Sequence, residues 1–484
     1  MSSATPAVPG AVPGLEGCPP PLRVEGARET IRRARRRSGG RTVVLDDDPT
    51  GSQSVHDVEI VTALDPAVYA SALGRADGAT FVLTNTRGMQ RADAVELTAT
   101  VARDLLRISE REGFELDMVS RSDSTLRGHI LDEVRALDDA RREVLGRGYD
   151  GVIVAPALFA AGRVTAGSVH WAKVAGEYVP VADTEFARDA TFGYASSDLR
   201  DFIVEKSGGT VRRDDISAVT LTDIREGGPD RVARMLADVA DGRFVVLDGI
   251  EDADYEVAML GILRAQEGGR RFLMRTGPSF VAALIGSEPR ALVTAAEIWP
   301  AGRPRRPGLI IAGSHVAMTG RQLDRVRQAG RAADIEFDVA PLLDPGTRDA
   351  HVRRTVERVR DALRSSDVMV YTSRRRVDGA GPEESLAIAQ AVSTALVAVV
   401  QGVLASRPGW VVAKGGITSH DVAVRGLGIR RAALLGQLRP GVSVMIPSDS
   451  ADLARGVPFI IFPGNVGDES SLLEVVTALN EQSA

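Results

Sequence analysis

The chain has 484 residues, 44% of them apolar and 26% charged, with a formal net charge of −6 at neutral pH. That length exceeds one ordinary hydrophobic core, so two domains are expected. The negative balance argues against a nucleic-acid binder, and the single cysteine, Cys18, excludes a disulfide framework or a cysteine-based zinc site and fits a reducing compartment.

Residues 1–40 read as a disordered tail rich in Pro, Ala and Gly, then a basic segment, with Ile31 to Arg41 expected as a solvated helix face. The N-terminus has no signal-peptide pattern. The most apolar helix candidate, Ala395 to Ala405, is short for a membrane span and carries Gln401 and Gly402. The expectation is a cytoplasmic protein with no membrane partner.

From Thr42, short β-branched runs alternate with amphipathic stretches. Thr42 to Leu45, Phe81 to Thr84, Met118-Val119 and Val152 to Val154 read as strands. Leu97, Val101, Leu105 and Ile108 fall on one helical face. Such alternation predicts an α/β fold with a largely parallel sheet flanked by helices. Gly162 to Thr184 breaks the rhythm and predicts a β-hairpin insertion. This N-terminal domain is expected over 41–299. The Pro/Gly/Arg-rich segment 300–308 reads as a linker. A second α/β domain, 309–484, carries runs at Leu309 to Ala312, Val368 to Tyr371, Trp410 to Ala413 and Phe459 to Phe462.

Open α/β sheets bind ligands outside the carboxyl ends of their strands. Three polar segments fall there in the first domain: Asp46 to Gly51, Asn85-Thr86-Arg87, and Arg121 to Gly128. Arginines at 87, 121 and 127 suit a carboxylate, best in bidentate fashion. Asp47 and Asp123 suit hydroxyl groups, and either suits the role of general base. Caps and turns use the same residue types, but three such segments at three strand ends favour a site for a small polyhydroxylated acid.

In the second domain, Lys414-Gly415-Gly416-Ile417-Thr418-Ser419 lies between a strand and a helix expected from His420, with Thr418 or Ser419 as its cap. Glycines let backbone approach a phosphate, and helix-start amides favour an anion. The G-x-x-x-x-G-K-[ST] spacing is absent. Gly313-Ser314-His315 and Pro463-Gly464-Asn465-Val466-Gly467-Asp468 end two further strands. None of the histidines pairs at metal-ligand spacing. No G-x-S-x-G elbow appears, and Cys18 sits in the tail.

At these residues the chain resembles the four-carbon acid sugar kinase family, from about Thr42 to Val475. The likeness rests on Asp47 to Gly51, Ser122 to Gly128, Thr184 to Asp189, Gly415 to Thr418, Leu435-Gly436-Gln437 with Pro440-Gly441-Val442, and Pro463 to Asp468. The resemblance implies a sugar-acid-binding N-terminal domain and a nucleotide-binding C-terminal domain. It also implies ATP-dependent phosphorylation of an acid such as threonate, erythronate or 3-oxo-tetronate. Asp47, Arg87, Arg121, Ser122, Asp123 and Ser124 would contact the acid, with Arg127 orienting it. Ser314, Gly415, Gly416, Ile417, Thr418, Pro463, Gly464, Asn465 and Gly467 would contact ATP. Lys414 would offset phosphate charge, and Mg²⁺ would be held mainly by phosphates, with no protein metal site. Asp123 is the first choice of base and Asp47 the second. Many members have Leu or Ala at the position of Pro49, Ala at that of Ser52 and Glu at that of Ile417, departures that bear on which acid is used. A homodimer is the base-rate expectation. Two other readings are a non-catalytic sugar-acid sensor and a dinucleotide-using oxidoreductase; the missing G-x-G-x-x-G after the first strand argues against the latter.

Overall fold

The computed structural model describes residues 12–13, 15, 17–48, 55–73, 78–299, 305–313, 316–373 and 382–481. Pro49 to Gly51, Ser314, His315 and residues 300–304 of the expected linker lie outside the described residues. The chain divides into two compact units, 1–55 with 64–289, and 56–63 with 290–484. The division therefore falls at Pro289–Arg290 and not at 300–308. The reason is packing: the Val293 amide donates to the Gln437 carbonyl at 2.8 Å, and Trp299 Nε1 to the Leu479 carbonyl at 3.2 Å. Strand β1 (Arg41–Asp46) belongs to the first unit, whereas β2 (Val58–Val61) pairs within the second.

The first unit is built on β1 with β3 (Thr80–Leu83), β4 (Leu116–Arg121), β5 (Gly151–Ala155), and three more strands below. A separate antiparallel meander, β6 (Arg163–Ala166), β7 (Val169–Val174) and β8 (Glu177–Pro180), fills the place of the expected hairpin insertion. Then come β9 (Ser217–Val219), β10 (Arg243–Leu247) and β11 (Phe272–Thr276), giving the order β3-β1-β4-β11-β5-β10-β9, all parallel. Helices cover both faces, which is why the central strands are continuous apolar runs, buried throughout in β3 and β5. The predicted amphipathic helix spans Arg91–Glu112, with Val101, Leu105 and Ile108 buried. The register aligns Asp46 with Leu83 and with Arg121, and Arg121 with Thr276. Four strands thus end level, and the loops beyond them share one edge.

The basic segment differs from expectation. It forms the helix Ala27–Ser38, with Ile31 fully buried. Two of its arginines reach inward, Arg28 Nε donating to Glu256 at 2.5 Å and Arg35 pairing with Asp117 at 3.0 Å, while Arg33, Arg36 and Arg37 keep the exposed face that was expected. The helix is a docked element of the first unit, held by these ion pairs.

In the second unit, β12 (Leu309–Ala312), β13 (Ala333–Phe337), β14 (Val368–Thr372) and β15 (Val411–Lys414) precede β16 (Arg431–Arg439), β17 (Val442–Asp449) and β18 (Phe459–Phe462). The order is β13-β14-β12-β15-β18, all parallel, continued by β17, β16 and β2 in antiparallel pairing. Register aligns Lys414 with Ala312 and Phe462, so the three candidate loops again leave from level strand ends. The apolar helix runs Pro382–Val403, longer than expected. The segment Ala387–Ser406 is long and apolar enough to cross a membrane by length and composition alone. Here it is a core helix: Leu396, Val399, Val400 and Val403 are buried, and the Gly402 carbonyl accepts Arg360 Nη2 at 2.6 Å.

Candidate acid and nucleotide sites

The strand ends of the first unit gather a dense set of charges. Asp46, last in β1, is fully buried and pairs with Arg121, last in β4, at 2.8 Å. Neighbouring strand ends thus neutralise each other, and Arg121, expected to grip the acid, is committed to Asp46. Arg87 lies in the 3₁₀ turn Thr86–Gly88 after β3. It contacts Asp48 and sits 3.5 Å from Asp47 and 3.8 Å from Asp123. Arg127 Nε donates to Asp123 at 2.7 Å, and Thr125 also donates to that carboxylate. Of the expected acid-binding residues, Asp47, Arg87, Asp123 and Arg127 come together, and Ser122 and Ser124 are buried beside them.

Asp47 and Asp123 differ sharply. Burial works to raise Asp123, but donation from Thr125 and the charges of Arg87 and Arg127 hold it below the usual carboxylate range. Asp47 is only 2% exposed, and neither of its oxygens has a hydrogen-bond partner among the described residues. Burial pushes its carboxyl up to about 8, despite the opposing charges of Arg87 and Arg275. Gly128, at φ +127°, makes room for it: a Cβ there would stand 3.0 Å from Asp47 Oδ2. Asp123 Oδ2 already accepts two hydrogen bonds, whereas neither oxygen of Asp47 accepts one among the described residues, which favours Asp47 over Asp123 as the carboxyl able to take a proton.

In the second unit the helix starts earlier than expected, at Gly416–Asp421, with Gly415 at φ +115° as its cap residue. Thr418 and Ser419 lie inside this first turn, and Ser419 Oγ donates back to the Ala413 carbonyl at 2.8 Å. No side chain caps the helix, so the amides of Gly416, Ile417 and Thr418 have no acceptor supplied by a cap. Gly313 packs directly on this turn: a Cβ there would lie 2.5 Å from Thr418 Oγ1. The Pro463–Gly467 loop is held from below, where Thr319 Oγ1 donates to the Gly464 carbonyl at 3.0 Å and Gln322 Nε2 to the Val466 carbonyl at 3.0 Å. Asn465 and Gly467 are exposed, and Gly464 is half-buried. Lys414 does not meet the role assigned to it. Its side chain is fully buried, Nζ donating to the Pro463 carbonyl at 2.7 Å and lying 3.7 Å from the Phe462 ring centre. It braces the loop from inside instead of facing a phosphate, and burial pushes it down to about 7.

Comparison with known proteins agrees with this division of labour. Residues 42–284 match the family model of a sugar-binding N-terminal domain, and 309–472 that of a nucleotide-binding C-terminal domain. The chain belongs to the four-carbon acid sugar kinase family. It is 29% identical over 257 residues to D-threonate kinase of Salmonella typhimurium, covering 53% of this chain and 54% of that one. It is 27% identical over 313 residues to D-erythronate kinase of Heliobacterium modesticaldum, covering 63% and 62%. The chain thus matches between about half and three-fifths of these curated relatives' lengths. The crystal structure of a Haemophilus influenzae protein superposes with a TM-score of 0.64 at 15% identity, covering 90% of this chain and all of that one, and shows the shared fold.

Sequence reasoning missed several residues of this acid sugar kinase family site. Glu133 and Arg275 are buried beneath it, paired at 2.5 Å, and Thr86 Oγ1 donates to Glu133 at 2.6 Å. Arg275 sits one residue before the end of β11, so the strand-end rule that found Arg87 and Arg121 also points to it. His170 of β7 was considered only as a metal ligand. It lies within a strand, fully buried, and its Nε2 donates to the Ser124 carbonyl at 2.8 Å. Thr184 to Asp189 had no assigned role. Phe186 carries the Arg127 guanidinium 5.1 Å from its ring centre, and Asp189 lies 3.9 Å from Arg127.

Proposed function

We propose that the chain is an ATP-dependent kinase that phosphorylates a hydroxyl of a four-carbon sugar acid. The observation that carries this reading is Asp47: a buried carboxyl with two open oxygens, among arginines, with its pKa raised to about 8. A carboxyl so placed is suited to take a hydroxyl proton. The hydroxyl oxygen attacks the γ-phosphorus, the bond from that phosphorus to the bridging oxygen of ADP breaks, and the proton passes to Asp47. Asp123, held ionised by donation from Thr125 and the charges of Arg87 and Arg127, is placed to orient a further hydroxyl.

The second unit supports the donor half. The uncapped turn from Gly416 and the loop Pro463–Gly467 offer backbone amides and small residues at level strand ends. Among the described residues no group of three or more His, Cys, Asp or Glu side chains is placed to hold a metal. Mg²⁺ is taken to arrive with ATP, held mainly by its phosphates, and no step is assigned to a protein-bound ion. The relatives' names, D-threonate kinase and D-erythronate kinase, favour acids of this length.

The test is ADP release with ATP–Mg²⁺ against D- and L-threonate, D- and L-erythronate and their 3-oxo forms. Turnover that depends on one acid is the expected result. ATP binding with no turnover on any acid moves the substrate outside this class, and absence of ATP binding removes the kinase reading.

A further inference from the structure

Arg163 opens β6, beside the acid site, and none of the readings above used it. Its backbone is fixed by reciprocal hydrogen bonds with Leu158, both 3.0 Å. Its guanidinium lies 5.7 Å from the ring centre of Phe186, the same ring that carries Arg127 at 5.1 Å. The neighbouring arginines all have carboxylates: Arg121 has Asp46, Arg87 has Asp48, Arg127 has Asp123, and Arg275 has Glu133. Arg163 alone among them has no ion pair and no side-chain hydrogen bond within the described residues. It is partly exposed, so a ligand can reach it.

We propose that Arg163, lying over Phe186, is the residue that binds the carboxylate of the acid substrate. A guanidinium presents a rigid fork that matches a carboxylate in two parallel hydrogen bonds. A cation over a ring face is held there by the ring quadrupole without using up its N–H donors. A half-buried cation without a counter-ion is costly, and an arriving carboxylate removes that cost. Burial pushes this guanidinium below its ordinary value; the charge of Asp123 offsets part of that and Arg127 adds to it, with no carboxylate in ion-pair range of Arg163 itself among the described residues. The chemistry selected is that of an organic anion over its neutral amide or polyol. The inference rests on the acid-binding reading of the first unit, but not on phosphoryl transfer.

The test uses the full chain and two readouts. Binding of D-threonate, D-erythronate and their neutral amides is measured by calorimetry without nucleotide, for wild type, Arg163→Gln and Arg163→Lys; ADP release is measured in parallel. Arg163→Gln is expected to weaken acid binding by about 10- to 100-fold and amide binding by less than about 3-fold. Arg163→Lys should recover part of the loss, and the melting temperature should hardly move. Acid affinity in Arg163→Gln within about 3-fold of wild type overturns the assignment while leaving the kinase reading intact. Equal weakening of acid and amide also overturns it, since that marks a structural role. Acid binding lost in Arg163→Gln, with no ADP released by wild type, upholds Arg163 and removes the kinase. A wild type that binds none of the acids in the turnover panel overturns the assignment and the acid-binding reading on which it rests.

Discussion

His170 donates through Nε2 to the carbonyl of Ser124 at 2.8 Å, so a strand of the antiparallel insertion holds the backbone beside Asp123. Its Nδ1 meets Thr165 Oγ1 at 2.9 Å, and Tyr194 donates to the next carbonyl, Thr125, at 2.8 Å. The loop that carries the acid-site carboxylate is thereby positioned by residues far from it in sequence.

Burial pushes His170 down to about 4, partly offset by its bond to Ser124. The folded chain therefore binds fewer protons at this site than the unfolded chain between about 4 and 6.5. The contribution of His170 to stability is fully present above 6.5 and is lost as pH falls through 4. His170→Ala should cost about 1–3 kcal/mol at pH 7, and the gap to wild type should close toward pH 4. Thermal denaturation at a series of pH values reads this directly.

Asp47→Asn separates catalysis from stability. Loss of the base should reduce kcat by about 10²- to 10⁴-fold. Wild-type kcat/KM should rise with pH and level off above about 8, where Asp47 is ionised. Stability moves oppositely: a carboxyl with a raised pKa contributes below its ordinary 3.8 and loses that contribution as pH rises through 8. The asparagine variant should therefore gain on wild type in melting temperature as pH rises from 4 to about 9. A pH–rate profile without the inflection would exclude Asp47 as the titrating group.

Gly313→Ala tests the nucleotide half alone. The new methyl would stand 2.5 Å from Thr418 Oγ1 and 3.0 Å from Leu396 Cδ1, so the turn must shift. The clash is worth about 1–3 kcal/mol, and part of it should appear as weaker ATP binding. Acid binding should be unchanged. Calorimetry with each ligand separately distinguishes this from general unfolding.

Lys414→Met addresses the buried brace. Lys414 falls from 10.5 to about 7 by burial, so the unfolded chain holds its proton more tightly across that window. Wild-type stability at this site rises with pH through the window and is poorest below 7. The methionine variant should compare best with wild type below pH 7 and lose ground toward pH 10. A difference curve flat in pH would mean that Lys414 keeps its proton when folded.

Eight parallel strands were legible because burial on both faces demands continuous apolar runs, as in Leu309 to Ala312 and Phe459 to Phe462; β9, β10, β11 and β13, short or broken by charged residues such as Arg243, Arg275 and Glu336, were not. Short strands at the antiparallel margin were not. In β16, Arg431–Arg439, the buried positions are Ala432, Leu434, Gly436 and Leu438, and two of these are too small to mark an alternation. Charges at the site were found, but their commitments were not. Arg121 reads as a free cation until strand register sets Asp46 beside it. Lys414 reads as a phosphate contact until Phe462 and Pro463 enclose it from the strand next door. Sequence names the charged groups at a strand end; the neighbouring strand decides which of them remain available.

Strand β2 leaves the ribosome early and waits. Val58 to Val61 pair with Leu434 to Arg431, so some 370 residues must follow before their partner exists. During synthesis the first unit therefore begins to form before the β16 pairing of this stretch is possible. A fragment cut at residue 290 would inherit the opposite defect: β16 would lose its neighbour and expose an unpaired, half-apolar margin. Dissecting the two halves for separate expression therefore calls for supplying residues 56–63 to the second half, by fusion or as a peptide.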